Sequence, residues 1–215
     1  MSANTPEKDL GSEAPVDLTP VPVDPWILAD VAYARYHDPH EVLGAHVGED
    51  GVTIRTVRHL ADDVVVVTKD GAYPATHEQD GVWVAVLPGQ EIPDYRIKVT
   101  YGDETTTVDD PYRYMPTLGE MDIYLISEGR HEELWEVLGA HVKHYDGPMG
   151  EVEGTAFAVW APNARAVRVV GDFNYWDGTA TAMRSLGSSG VWELFVPGVG
   201  VGARYKFEIC FADGS

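Results

Sequence analysis

The sequence is short of cysteine, of positive charge and of long apolar runs, and each shortage removes a class of function. A single cysteine, Cys210, stands among 215 residues. No disulfide can close within the chain, which argues against a secreted, stapled domain and for a reducing, cytoplasmic setting. Lys and Arg number 15 against 35 Asp and Glu, a formal net charge of −20. A surface of that sign repels phosphate backbones and anionic lipid. Nucleic acid and membrane are therefore not expected as partners, whereas a neutral polymer meets no such penalty. No run approaches the roughly eighteen apolar residues of a spanning helix, and the N-terminus has no apolar signal segment.

Chemistry-bearing patterns are equally scarce. There is no Gly-rich phosphate loop and no nucleophile elbow. His37, His40 and His46 lie close together, but a metal needs three or four convergent ligands, and His46 recurs as His141 without the other two. Neither a metal nor another cofactor is expected, and His46 and His141 read as packing or capping residues. The paired acids Asp62-Asp63, Asp109-Asp110 and Glu132-Glu133 fall at turns, where turn chemistry accounts for them. They do not form the rigidly placed carboxylate pair of a glycosidase. No catalytic residue is expected within this sequence.

What the sequence does contain is a duplication. EVLGAHV occupies positions 41–47 and again 136–142. GVTIRTVRHLADDVVVV (51–67) aligns without gaps to GTAFAVWAPNARAVRVV (154–170). Trp83, Pro88 and Gly89 match Trp192, Pro197 and Gly198, and Tyr95–Val99 matches Tyr205–Ile209. Runs of β-branched and aromatic residues separated by Gly, Asp and Pro read as strands. Two tandem immunoglobulin-like β-sandwiches are expected, all-β apart from short helices that lead in. Asp24-Pro25 opens the first such helix and Asp38-Pro39 a shorter turn that Gly44 ends. Each EVLGAHV then reads as the lead-in to its sandwich, its apolar residues pinning the short helix.

The expected divisions are a disordered tail over 1–23, rich in Pro, Ser, Thr and acids, a first sandwich over 24–120 and a second over 121–215. The first copy has a strand, ETTTVDDPY, after the turn at Tyr101-Gly102-Asp103, whereas the second copy stops at the corresponding turn. The second sandwich is therefore expected to lack its closing strand, and the chain to be a fragment.

One stretch exceeds the repeat. GDFNYWDGTATAMRS (171–185) replaces the shorter TKDGAYPATHEQ of the first copy and interleaves Phe173, Tyr175 and Trp176 with Asp172, Asn174 and Asp177. Aromatic faces stack on the apolar faces of pyranose rings, while amides and acids take up the hydroxyls. Covering roughly 50 Å² of apolar surface at about 25 cal/mol/Å² contributes on the order of 1 kcal/mol. Strand parity over Tyr205–Phe211 puts Tyr205, Phe207, Ile209 and Phe211 inward and Lys206, Glu208 and Cys210 outward, so Lys206 could donate to a sugar hydroxyl.

FAVWAPNARAVRVVGDFNYWDG, followed by WELFVPG and YKFEI, resembles the carbohydrate-binding module of family 48, which precedes the barrel of glycoside hydrolase family 13 enzymes. DPHEVLGAH, the stretch DPYRYMPTLGEMDIYLISEG and the second EVLGAHV resemble the N-terminal half of bacterial 1,4-alpha-glucan branching enzymes, from about Asp24 to Ser215. The resemblance implies a glycogen-building enzyme that transfers an alpha-1,4 glucan chain to a 6-hydroxyl by retaining double displacement on a (β/α)8 barrel. Neither of that barrel's acids can be placed here, so these residues alone are expected to be inactive. The resemblance implies that Trp176 of FNYW stacks on glucan and that Lys206 of YKF assists, with Asn174 and Tyr175 beside them. The implied partners are alpha-glucan (glycogen or maltooligosaccharide) and the catalytic barrel. A stand-alone glycogen-binding adaptor and another family 13 enzyme, such as a debranching enzyme, are the alternatives.

Overall fold

The computed structural model describes residues 18–211. Helix α1 (Pro25–Ala32) is followed by β1 (Gly44–Val47), β2 (Val52–Val57), β3 (Asp63–Thr68), β4 (Ala72–Pro74), β5 (Thr76–Gln79), β6 (Val82–Leu87), β7 (Tyr95–Tyr101) and β8 (Glu104–Val108). These strands form two antiparallel sheets, ordered β1-β2-β6-β5 and β4-β3-β7-β8. Helix α2 (Glu120–Ser127) leads to β9 (Gly139–Tyr145), β10 (Val152–Trp160), β11 (Ala164–Gly171), β12 (Arg184–Ser185), β13 (Val191–Pro197) and β14 (Tyr205–Phe211). Here the sheets are β12-β13-β10-β9 and β11-β14. The fold is two sandwiches in tandem, as the repeat predicts. β7 lies between β3 and β8, whereas its counterpart β14 pairs with β11 alone among the described residues.

The duplicated residues repeat their contacts. Trp83 donates its indole N–H to the Arg58 carbonyl at 3.1 Å, and Trp192 donates to the Ala161 carbonyl at 3.0 Å. His46 and His141 each donate from Nε2 to the carbonyl three residues back, Leu43 and Leu138, at 3.1 and 3.0 Å. EVLGAHV is more than a lead-in, however. Its first residues make a tight turn, and Gly-Ala-His-Val is itself the first strand of each sandwich, β1 on β2 and β9 on β10.

Residues 1–17 lie outside the described residues, but the last part of the stretch expected to be disordered is bound. Val21 donates to Thr53 Oγ1 at 2.9 Å and accepts from Arg55 at 2.7 Å. This strap helps explain why every residue of β2 is buried. The strand is covered on both faces, so the one-sided alternation of β7 is absent there.

Helix α1 does not rest on the first sandwich alone. Its buried face, Leu28, Val31 and Ala32, shares one contiguous core with Phe157, Val167, Val169, Met183 and Leu194 of the second half. Val52, Ile54, Val64, Val66, Tyr95 and Ile97 make a separate core inside the first sandwich.

Candidate functional site

The loop between β11 and β12 is built around a strained presentation of two aromatic residues. Tyr175 and Trp176 have φ of 55° and 63°. Non-glycine residues in that region cost on the order of 1–2 kcal/mol each, so the surroundings must over-determine them. They do so by spending the Asn174 amide. Its Oδ1 accepts from the Gly171 N–H at 2.8 Å, and its Nδ2 donates to the Val169 carbonyl at 3.0 Å and to Thr181 Oγ1 at 2.8 Å. Trp176 N–H reaches the Gly171 carbonyl at 2.9 Å and Asp177 N–H the Asn174 carbonyl at 3.0 Å. Below the loop, Phe173 stacks on Phe157 with ring centroids 5.8 Å apart. In the first copy the same position is a tight turn, in which Thr68 N–H bonds the Gly71 carbonyl.

Two acids complete the frame. Asp177 Oδ1 accepts from the backbone and hydroxyl of Thr179 at 2.9 and 2.8 Å, and those bonds hold its carboxyl below the usual carboxylate range. Asp172 pairs with Arg204 at 2.9 Å. The Arg204 hydrogen bond is the chief cause of a lowered Asp172 pKa. Both side chains are therefore fixed, ionised acceptors at neutral pH. The Asp172–Arg204 pair is 32 residues apart in sequence, and nothing in the local pattern announces it. The Asp177–Thr179 turn could have been found in the D-G-T triplet.

Of the four residues singled out in the sequence, three end on the surface. Trp176 is 46% and Tyr175 93% exposed. Lys206 is exposed on β14, as strand parity predicts, and its Nζ lies 5.9 Å from the Trp176 ring centroid. An ammonium at that distance interacts with the ring face and stands ready to donate beside anything stacked on it. Asn174 is half-buried and its amide is engaged within the loop, so it positions the platform. A flat ring, a cation at its rim and two fixed carboxylates nearby suit a neutral, polyhydroxylated ligand.

Both halves of the chain match known families. Residues 24–112 match the family described as alpha-1,4-glucan branching enzyme GlgB, N-terminal domain. Residues 137–215 match carbohydrate-binding module 48 (isoamylase N-terminal domain). The chain is 61% identical over 169 residues to a 1,4-alpha-glucan branching enzyme of Thermobifida fusca, covering 78% of this chain and 23% of that one. It is 57% identical over 183 residues to one from Frankia casuarinae, covering 83% and 22%. A Streptomyces coelicolor branching enzyme is 48% identical over 214 residues, covering 100% and 27%. The chain thus spans about a quarter of the length of the curated relatives it matches. Among solved structures it is similar to a type I pullulanase from Bacillus subtilis at 19% identity, covering 78% of this chain and 23% of that chain, but a TM-score of 0.28 is too low to argue from.

Proposed function

We propose that this chain, which belongs to the N-terminal region of 1,4-alpha-glucan branching enzymes and carries a family 48 carbohydrate-binding module, binds alpha-glucan on its second sandwich. It positions the glucan chain for alpha-1,4 to alpha-1,6 transfer in glycogen synthesis, performed in the cytoplasm by a barrel whose acids are not among these residues. The first sandwich acts as a spacer that fixes the second. One observation carries the reading: Trp176 is held at positive φ by a loop whose hydrogen bonds serve that end, with Lys206 at its rim.

Bracing of the barrel is the second part of the role. It is supported by the apolar surface around α2, where Ile123, Ile126, Val137 and Leu138 are only partly covered. Trp135 and Trp160, in the same half of the chain, are 68% and 57% exposed.

Glycogen co-sedimentation tests the glucan site. Trp176→Ala is expected to weaken binding about five- to tenfold, the loss of on the order of 1 kcal/mol of stacking, with the melting temperature little changed. Trp83→Ala removes the indole that closes the first sandwich and is expected to cost about 3 kcal/mol of stability. Equal loss of glucan binding in folded forms of both variants would contradict this division of roles.

A further inference from the structure

The outer face of β11 and β14 does not end at Lys206. In register, Val170 pairs with Lys206, Arg168 with Glu208 and Ala166 with Cys210. Along this face the platform leads into a cleft of about 600 Å³ between β11–β14 and α1. Its walls include Asp30 from the helix, Arg35 just past the helix end, and Arg165, Arg168 and Glu208 from the sheet. The cleft begins at Glu208, about 7 Å from Lys206 at the rise of a strand, and runs past Cys210 at about 13 Å, so reaching its far wall from Trp176 takes a chain of several sugars.

The walls are fixed to each other. Helix α1 closes with Ala34 N–H on the Val31 carbonyl and Arg35 N–H on the Asp30 carbonyl. This is a Schellman end with alanine at φ 52° where glycine is usual. That end leaves the Tyr33 and Ala34 carbonyls free to accept from Arg168 at 2.9 and 3.1 Å. Arg168 also pairs with Glu208 at 3.3 Å, and Arg165 lies 3.6 Å from Asp30. Arg35 is exposed, lies with its guanidinium 5.3 Å from the Tyr33 ring centroid, and has no carboxylate partner among the described residues.

We propose that this cleft is an extension of the glucan site, in which Arg35 and Asp30 of the first half of the chain bind the same alpha-glucan that stacks on Trp176. The inference rests on the reading of Trp176 as a glucan platform. Guanidinium donors alternating with carboxylate acceptors match a row of hydroxyls. Two of the three guanidiniums in the walls are matched by the two carboxylates, and the net charge of −20 disfavours an anion.

Calorimetric titration of the 215-residue chain with maltotriose and maltoheptaose separates the two claims. Wild type is expected to bind maltoheptaose more tightly. Arg35→Ala is expected to weaken maltoheptaose about three- to tenfold, the loss of one solvent-exposed hydrogen bond, and to leave maltotriose unchanged. Glu208→Gln is expected to show the same length dependence, and Trp176→Ala to weaken both sugars. If Arg35→Ala and Glu208→Gln bind both sugars as wild type does, or lose both equally, the extension is wrong while the Trp176 platform stands. If wild type binds neither sugar, both readings fall.

Discussion

His40 shows how much a single side chain can say about the join between the two sandwiches. Both ring nitrogens are shut off from solvent without a hydrogen-bond partner, and the ring lies edge-on to Tyr112 with centroids 5.1 Å apart. Burial, with Arg184 and His46 nearby, pushes its pKa down from 6.5 to about 3. The folded protein therefore holds a neutral imidazole, while the unfolded chain takes up a proton below pH 6.5. Stability from this residue is complete above pH 6.5 and falls on acidification, by up to about 1.4 kcal/mol per pH unit. Asp38 and Asp110, raised mainly by burial, act in the opposite sense, because they keep a proton in the fold just above pH 3.8. The comparison that isolates His40 is thus wild type against His40→Phe in urea unfolding at pH 6.5 and pH 5. The variant is expected to lose about 2 kcal/mol less than wild type across that interval. Parallel losses would show that His40 gains its proton freely in the fold.

Elements repeat more faithfully than their surroundings, and the two glycines of EVLGAHV measure the difference. Gly44 and Gly139 open β1 and β9 with φ of 83° and 98°. A side chain at Gly139 would meet nothing within 4 Å, whereas one at Gly44 would run into the Tyr112 carbonyl. Gly139→Ala is therefore expected to cost about 1 kcal/mol, the conformational penalty alone. Gly44→Ala is expected to cost at least about 2–3 kcal/mol, because backbone must also move. Thermal melts of the two variants check the order, and equal shifts would place the strain elsewhere. The same elements show what the sequence could tell. β7 and β14 were legible because one face meets a core and the other meets water. β1 and β9 were not, because Gly-Ala-His-Val has no alternation and follows a helical turn. The added loop that carries Trp176 was legible from the FNYW stretch, and the outward face of Lys206 from strand parity. Asn174 read as a ligand-binding amide, since its loop partners Val169, Gly171 and Thr181 are matched by folding rather than by spacing. The cleft was illegible, because Arg168 meets the Tyr33 and Ala34 carbonyls across more than 130 residues of sequence.

At the scale of the whole molecule, the duplication suggests two independent units, and the packing opposes that. Inter-domain contacts within a chain are usually polar and yielding, but here α1 and Tyr112 share one core with Leu194 and Val196. Buried polar groups tighten the join. Glu193 is fully buried, pairs with Arg184 at 2.9 Å and accepts from Thr117 N–H and Oγ1 at 3.3 and 3.1 Å. Arg184 in turn donates to the Tyr114 carbonyl at 3.1 Å. Nearby, Asp94 of the first half pairs with Arg96 and Arg113 and accepts from Met149 N–H at 2.7 Å. Removing one member of a buried pair costs about 3–5 kcal/mol, because the other is left charged and unmatched. Glu193→Ala is therefore expected to destabilise the whole chain by that amount, and calorimetry to show one transition whose van't Hoff and calorimetric enthalpies agree. Val66→Ala, in the separate core of the first sandwich, is expected to lower the same single transition. Two transitions, each moved by only one of these variants, would show that the sandwiches melt alone. The outcome bears on the proposed binding as well, because a cleft with one wall at the end of α1 and the other on β11–β14 keeps its width only while the two halves behave as one body.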